Sequence, residues 1–110
     1  MSDSVPDAVS DYFAALNSRD REGLLALFTP DAVVVDEGET WHGTSEIRTW
    51  VDDVAFKYQY TAGVLGVEAR GDGGCVARVL LEGNFPGGSV ELTVRLELEG
   101  DRIRRLENSA

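Results

Sequence analysis

Apolar residues recur with two different periods along this chain, and the change of period separates a helical first half from a second half made of strands. Val9, Tyr12, Phe13 and Leu16 lie at the spacing of one helical face, which predicts an amphipathic first helix that ends at Asn17-Ser18-Arg19. Farther along, apolar and polar residues alternate one by one, as they do in strands that bury a single face.

Cap signals mark the first two helices. Ser4 is the predicted N-cap of the first helix, with Pro6 in the first turn and Asp7 three residues on. Asp20 is the predicted N-cap of the second helix, and Thr29-Pro30-Asp31 is predicted to end it. The apolar stripe of the second helix consists of Leu24, Leu27 and Phe28.

A short hairpin and a third helix follow. The strand from Ala32 to Asp36 turns through Glu37-Gly38 and returns from Glu39 to His42. Gly43-Thr44-Ser45 starts a third helix, where Glu46 is favourable against the N-terminal dipole. The apolar face of the third helix is formed by Ile47, Trp50, Val51 and Val54.

Period-two alternation then predicts a meander of strands. One begins at Tyr58 and turns at Gly71-Asp72-Gly73-Gly74, and the next carries apolar residues from Cys75 to Phe85. Pro86-Gly87-Gly88-Ser89 leads into the last strand of this set, from Val90 to Leu98. Because helices come first and antiparallel strands follow, the sequence predicts an α+β fold.

Composition and charge narrow the class of protein. With 110 residues, 43% of them hydrophobic, we expect one domain, residues 1–110, with one core. The net charge of −10 argues against a nucleic-acid partner, because phosphate binding needs clustered Lys and Arg. The sequence contains no apolar run long enough to predict a membrane span.

The N-terminus, the few Cys and His residues and the glycine motifs give predictions about location, metals and cofactors. An acidic N-terminus without signal-peptide features and a single cysteine, Cys75, predict a cytoplasmic location. One histidine and one cysteine do not suffice for the usual zinc sites, so no metal is predicted. No phosphate-binding glycine motif is present, and no cofactor is predicted.

Two stretches of the chain resemble the NTF2-like superfamily, especially its SnoaL-like and ketosteroid isomerase-like members. They are residues 11–50, DYFAALNSRDREGLLALFTPDAVVVDEGETWHGTSEIRTW, and residues 80–107, LLEGNFPGGSVELTVRLELEGDRIRRLE. The resemblance implies a cone-shaped fold in which three N-terminal helices pack on a curved, mostly antiparallel sheet around a deep apolar pocket. The superfamily includes isomerases, cyclases, dehydratases and non-enzymes, so the resemblance predicts the fold better than the activity.

Asp36 falls where ketosteroid isomerase-like proteins keep their general base. A carboxylate among apolar side chains loses hydration, which makes it a better proton acceptor. The alternative is that Asp36 opens the Glu37-Gly38 turn through hydrogen bonds to the backbone.

Tyr12 and His42 are the other predicted catalytic residues. Tyr12, eight residues before Asp20, matches the spacing of the tyrosine that stabilises the oxyanion in the isomerases, although it also lies on the core stripe of its helix. His42 resembles the histidine that dehydratase-type members combine with an aspartate, and it is also consistent with a half-exposed strand end. The predicted pocket lining comprises Phe13, Val34, Trp50, Val54, Val79, Leu92 and Val94.

The chain departs from the isomerase pattern on its late strand. The isomerases pair the tyrosine with a protonated acid there. In this chain the apolar face from Val90 to Leu98 has no acid, since Glu91, Glu97 and Glu99 have the opposite parity. Loss of one oxyanion donor costs roughly 2.7–4 kcal/mol of transition-state stabilisation, so steroid isomerase activity itself is not expected.

Three functions stay open from the sequence. The first is cofactor-free proton abstraction on a hydrophobic carbonyl compound by an isomerase-, cyclase- or dehydratase-like enzyme. The second is non-catalytic binding of a hydrophobic small molecule. The third is an interaction domain, because family members commonly form homodimers through the exposed sheet face, here with a charged row of Glu91, Arg95 and Glu97.

Overall fold

Helices dominate the first half of the chain in the computed structural model, which describes residues 6–70 and 73–109. Asp20 caps the second helix as predicted, because its Oδ1 accepts the backbone N–H of Gly23 at 3.0 Å. The predicted cap Ser4 and the turn residues Gly71 and Asp72 lie outside the described residues. The helices are α1 (Asp7–Ser18), α2 (Arg21–Ala26) and α3 (Gly43–Trp50), and α3 continues into a π-helical turn, Val51–Ala55.

The strands of the described chain form a six-stranded sheet in the order β2-β1-β6-β5-β4-β3. Neighbouring strands run antiparallel, except that β1 and β6 are parallel. The predicted α+β class with a mostly antiparallel sheet is therefore confirmed. The strands are β1 (Phe28–Asp36), β2 (Glu39–His42), β3 (Tyr60–Ala69), β4 (Gly74–Gly83), β5 (Ser89–Glu99) and β6 (Arg102–Ser109).

The core lies on one face of this sheet, under α1 and α3. Val79 of β4 and Val94 of β5 are almost fully buried, while Arg78 and Arg95 beside them are exposed, as the two-residue period of a strand requires. Aromatic rings then connect the helices to β1: Phe28 meets Tyr12 and Trp50 edge to face, at centroid distances of 6.5 and 6.4 Å. Such pairs add about 0.5–1.5 kcal/mol each beyond the area they bury.

The second helix is shorter than the sequence predicted. α2 ends at Ala26, and Phe28, expected on its apolar stripe, begins β1 instead. The backbone N–H of Ile103 donates to the carbonyl of Leu27 at 2.7 Å, and Phe28 pairs with Ile103. Pairing with β6 therefore overrides the local helical pattern. Pro30 lies in the irregular part of β1, where its missing N–H interrupts no regular ladder.

Two side chains at the end of α1 fix it against β3 and against the segment that leads into β3. The amide of Asn17 donates to the carbonyl of Ala62 at 3.1 Å and accepts the backbone N–H of the same residue at 2.7 Å. Arg19 donates to the carbonyls of Phe56 and Tyr58 at 2.9 and 3.0 Å. These hydrogen bonds lie beside Tyr58 and Tyr60, which line the cavity described below.

Candidate active site

A cavity of about 880 Å³ lies between the helices and the inner face of the sheet. Cavities that bind drug-sized ligands are about 300–1,000 Å³ and mostly apolar, with a few well-placed polar groups. The aromatic side chains that line this one are Tyr12, Phe13, Trp41, Trp50, Tyr58, Tyr60 and Phe85.

Asp36 is half-buried in the wall of the cavity. Its Oδ2 accepts two hydrogen bonds, from Nε1–H of Trp50 at 3.1 Å and from Nδ2–H of Asn108 at 3.3 Å. Among the described residues, no donor reaches Oδ1, and the carboxylate is not bonded to the backbone of its own turn. One carboxylate oxygen is thus held in place, and the other is available to a ligand.

The turn after β1 fixes where this carboxylate lies. Glu37 and Gly38 have φ values of 52° and 80°, and two consecutive positive φ angles are typical of a type I′ hairpin turn. Asp36 and Glu39 pair across the turn, so the carboxylate is the last side chain of β1.

Both donors to Asp36 come from regular elements. The parallel pairing of β1 with β6 aligns Asp36 with Asn108. Trp50 ends α3 with only 1% of its surface exposed, and its ring is held against Phe28. Groups carried by packed helices and strands are held more accurately than groups on loops.

Tyr12 also lines the cavity and is 2% exposed. Burial, and then the nearby Tyr60 and Asp36, raise the pKa of Tyr12 well above its ordinary value, while a hydrogen bond from Asn108 acts in the opposite direction. The phenol therefore stays protonated at neutral pH and can donate a hydrogen bond. Its ring also packs edge to face on Phe13 at 5.0 Å, so a packing role and a donor role are compatible.

Tyr60 is a cavity residue that the sequence analysis did not single out. Its hydroxyl donates to the carbonyl of Ala55 at 2.6 Å. Burial raises the pKa of Tyr60 to about 12, with Arg19 acting against this shift and Asp36 adding to it. Because this hydroxyl is engaged by the protein, Tyr12 is the better placed of the two phenols to donate to a ligand.

Asn108 was missed as well. Its Oδ1 is buried in the cavity wall without a hydrogen-bond partner among the described residues. An unpaired buried acceptor costs about 1–3 kcal/mol, so a donor from a ligand or water would be stabilising there. The alternation along β6 carries the signal that would have found it, since Leu106 is fully buried and Asn108 follows on the same face.

Most of the residues predicted for the site do line this cavity. The predicted base and the predicted donor, Asp36 and Tyr12, lie in one wall together with two side chains that contact Asp36. The apolar residues that were predicted and that line the cavity are Phe13, Trp50, Val54, Val79, Leu92 and Val94.

Val34 and His42, which were also predicted, lie elsewhere. Val34 is fully buried in the core because α3 packs over this part of β1. His42 is exposed and pairs with Val33, three positions along the hairpin from Asp36, or roughly 10 Å at the rise of a strand. Its backbone N–H donates to the carboxylate of Glu46 at 2.7 Å, so His42 is the residue that precedes α3 as its N-cap. The structure does not bring Asp36 and His42 together.

Other reactive groups lie away from the cavity. Cys75 is 2% exposed on β4, and burial raises the pKa of its thiol. Within residues 6–70 and 73–109, no three His, Cys, Asp or Glu side chains converge as a metal site. No helix in this part of the chain is long and apolar enough to cross a membrane.

Comparison with known proteins gives similar structures over nearly the whole chain. A proposed polyketide cyclase from Sinorhizobium meliloti shares 36% identity and a TM-score of 0.88, over 96% of this chain and 95% of that one. A protein of ketosteroid isomerase-like fold from Catenulispora acidiphila, in complex with trimethylamine, shares 20% identity and a TM-score of 0.85, over 97% and 87% of the two chains. A Mycobacterium tuberculosis protein in complex with estradiol-17β-hemisuccinate shares 17% identity and a TM-score of 0.81, over 94% and 90%.

Comparison of the sequence with family models identifies the family, in agreement with the structural comparisons. No curated protein matches this chain at a significant level of sequence similarity. Residues 9–106, however, match the model of the SnoaL-like domain. The chain therefore belongs to the SnoaL-like domain family, within the NTF2-like superfamily.

Proposed function

We propose that this protein binds a hydrophobic carbonyl compound in the cavity and removes a proton from the carbon next to the carbonyl, with Asp36 as the base. The observation that carries the proposal is the carboxylate of Asp36, whose Oδ2 is held by Trp50 and Asn108 while Oδ1 meets no donor among the described residues. Solved structures of similar fold that contain small molecules support ligand binding, and the similar cyclase supports chemistry of this type.

The proposed step needs only groups of this chain. Oδ1 of Asp36 takes the proton, and the electron pair of the broken C–H bond forms an enolate. Negative charge develops on the carbonyl oxygen, to which the hydroxyl of Tyr12 donates a hydrogen bond. If the compound has a carbon–carbon double bond next to the reacting carbon, the enolate is a dienolate and Asp36 returns the proton to its far carbon, which is isomerisation. In a cyclisation, the enolate carbon instead bonds to a second carbonyl, whose oxygen takes the proton from Asp36.

The number of oxyanion donors favours one kind of substrate. Of the three tyrosines in the described lining, Tyr12 is the one that is fully buried near Asp36 and free to donate, since Tyr60 is bonded to Ala55. Tyr58 packs on Phe85, and the apolar face of β5 offers no acid as a second donor. A second donor is worth about 2.7–4 kcal/mol in the transition state. A proton between two carbonyls needs less help, since two oxygens share the developing charge. We therefore favour a substrate with neighbouring carbonyl groups.

Non-catalytic ligand binding is the second candidate, and the cavity itself favours it. An apolar ligand gains about 25 cal/mol for each Å² of surface that it buries, without any contribution from proton transfer. In that case Asp36 and Tyr12 would only orient the ligand. The two candidates differ in whether the bound molecule exchanges protons.

Hydrogen–deuterium exchange separates the two without knowledge of the natural substrate. Tetralone, a bicyclic ketone, is incubated with the protein in D₂O, and loss of its α-proton signal is followed by NMR. We expect the wild-type protein to accelerate exchange and Asp36→Asn to lose about 100-fold or more of that rate, the usual scale of general-base catalysis.

A matched variant controls for effects of the lost charge or of altered folding on the exchange rate. Asp101→Asn makes the same chemical change at an exposed residue outside the cavity lining, and it should exchange at the wild-type rate. If Asp36→Asn stays within a few-fold of wild type, Asp36 is not the base. If wild type binds tetralone and a bicyclic compound with two neighbouring carbonyl groups, seen as thermal shifts, and accelerates exchange of neither, the non-catalytic candidate is correct.

A further inference from the structure

Within residues 6–70 and 73–109, the side-chain oxygen Oδ1 of Asn108 is the one buried side-chain polar atom without a hydrogen-bond partner. Asn108 also belongs to the cavity lining. Buried acceptors in folded proteins nearly always meet a donor, so each exception calls for a physical explanation. An exception in the wall of a cavity points to a ligand that supplies the donor.

The direction of the Asn108 amide is fixed by its other end. Nδ2 donates to Oδ2 of Asp36 at 3.3 Å, and a hydrogen bond from Asn108 also acts on the pKa of the Tyr12 phenol. If the amide were turned over, its oxygen would face the carboxylate, and two acceptors would be in contact. Oδ1 is therefore the end that stays without a donor.

The side chains around Asn108 are already engaged or have no proton to give. On the neighbouring strands Asn108 pairs with Asp36 and with Val94, which carry a carboxylate and an apolar side chain. The N–H of Trp50 is bonded to Asp36, and the hydroxyl of Tyr60 is bonded to a backbone carbonyl. Among the described residues, none of these groups can complete the acceptor, so a molecule in the cavity is the remaining source of a donor.

A hydroxyl group is the donor that fits both Asn108 and the proposed base. Oδ1 of Asn108 belongs to a neutral amide and accepts a hydrogen bond from a neutral hydroxyl. An ammonium group in the same place would instead pair with the carboxylate of Asp36, because opposite charges attract strongly away from water. It would then occupy the carboxylate oxygen that the proposed reaction needs. A hydroxyl leaves that oxygen to the reacting carbon.

We infer that the substrate carries a hydroxyl group near its carbonyl, and that Asn108 selects this substrate by accepting a hydrogen bond from the hydroxyl at Oδ1. The carbonyl oxygen then lies at Tyr12 and the reacting carbon at Asp36, in the same wall as Asn108. A site that hydrogen-bonds a substrate hydroxyl discriminates against the analogue that lacks it. The inference rests on the proposed function for the positions of the carbonyl and the reacting carbon, and it adds a hydroxyl to the substrate class.

Matched ketones test the inference in the wild-type protein. The probes are tetralones with one hydroxyl group at successive positions of the two rings, each compared with its methoxy counterpart, and positions that let the hydroxyl bond to the ketone's own oxygen are omitted. A slightly acidic buffer keeps the hydroxyl protonated. By calorimetry, we expect one hydroxytetralone to bind about tenfold more tightly than both tetralone and the methoxy compound, which has no donor. The inference is overturned if no hydroxytetralone shows this preference.

Two substitutions of Asn108 separate its acceptor from its donor. Asn108→Leu has no acceptor, so the preferred hydroxytetralone should bind no more tightly than tetralone. Asn108→Asp keeps an oxygen at the position of Oδ1 and should keep the preference. Two neighbouring carboxyl groups share a proton, so the new acid can donate to Asp36 in place of Nδ2. An undiminished preference in Asn108→Leu, or its loss in Asn108→Asp, contradicts the inference.

Asp36→Asn distinguishes this inference from the proposed function. In that variant Trp50 and Asn108 both donate to the side-chain oxygen of the new amide, so its NH₂ group replaces the free carboxylate oxygen. The preference for the hydroxyl should remain while exchange of tetralone is lost. Loss of the preference would place the hydroxyl on Asp36 and contradict the inference. Unchanged exchange of tetralone would instead contradict the proposed base and leave the hydroxyl assigned to Asn108.

Discussion

Asp36 and Asn108 lie opposite each other across the parallel pair β1–β6, and the amide of Asn108 donates to Oδ2 of Asp36 at 3.3 Å. The two residues are 72 positions apart in the sequence. Their contact joins the last residue of the first strand to the penultimate residue of the last strand. The candidate base is therefore oriented by the closure of the sheet.

Asn108→Leu should separate activity from stability. Leucine has a similar size but leaves Asp36 with Trp50 as its remaining donor, so we expect exchange of tetralone to fall about tenfold through poorer orientation. The lost hydrogen bond and the removal of the unpaired Oδ1 oppose each other in free energy, so the free energy of unfolding should change by less than about 1 kcal/mol. Urea denaturation measures this. A large loss of stability with unchanged exchange would make Asn108 a structural residue.

Trp50→Phe should weaken both the fold and the site. The change removes the N–H that donates to Asp36 and leaves space in the core, where Trp50 is 1% exposed. We expect a loss of about 2 kcal/mol in the free energy of unfolding, together with slower exchange. Trp41→Phe is the matched control, since Trp41 is half-buried in the cavity lining, and it should cost less than about 1 kcal/mol. Equal losses in both variants would contradict the role given to Trp50.

Two tyrosines should make the fold sensitive to alkali. The pKa of Tyr12 is well above its ordinary value of 10.0, and that of Tyr60 is raised to about 12. Below pH 10 both states of the chain keep these protons, so the shifts have no effect on stability. Above pH 10 the unfolded chain releases protons that the folded chain retains, and the free energy of unfolding falls by up to about 1.4 kcal/mol per pH unit for each tyrosine.

Urea denaturation between pH 9 and pH 11 checks this prediction. Tyr12→Phe/Tyr60→Phe should show a shallower decline of stability with pH than wild type, whatever its stability at neutral pH. Tyr58→Phe serves as the control and should keep the steep decline. The prediction fails if the double variant and wild type decline in parallel.

The homodimer through the outer sheet face stays a prediction, and the charges on that face sharpen it. Glu91 pairs with Arg78 at 3.3 Å and Glu97 with Arg104 at 3.0 Å, whereas Arg95 between them is exposed. Sedimentation equilibrium should show a dimer that Arg95→Glu weakens, because the change makes this row entirely acidic. A monomer at every concentration would contradict the prediction.

Local patterns in the sequence predicted those helices and strands that bury one face and expose the other. The stripe of Val9 to Leu16 predicts α1, and the alternation of Val90 to Leu98 predicts β5, because each pattern has one period and one buried side. The same reasoning was wrong for Phe28. Its local context is helical, and its pairing with Ile103 of β6 cannot be seen from neighbouring residues.

The candidate site was predictable only in part, because some of its contacts join elements that are distant in the sequence. Asp36 and Tyr12 follow from motif positions, but the donors to Asp36 depend on contacts between distant elements. Trp50 was expected in the pocket as an apolar residue, and its N–H becomes important only when α3 packs over the end of β1. The alternation along β6 places Asn108 on the buried face, but its contact with Asp36 depends on the parallel register of β1 and β6, which no local signal indicates.

A crystal structure of the protein with tetralone bound tests the central claim most directly. The account predicts that the α-carbon of the ketone lies about 3–3.5 Å from Oδ1 of Asp36, the distance of a reactive complex. It also predicts that the carbonyl oxygen accepts from the hydroxyl of Tyr12 at about 2.7–3.1 Å. A ketone bound with its carbonyl turned away from Tyr12, or a cavity that stays empty at saturating ketone, would contradict the account.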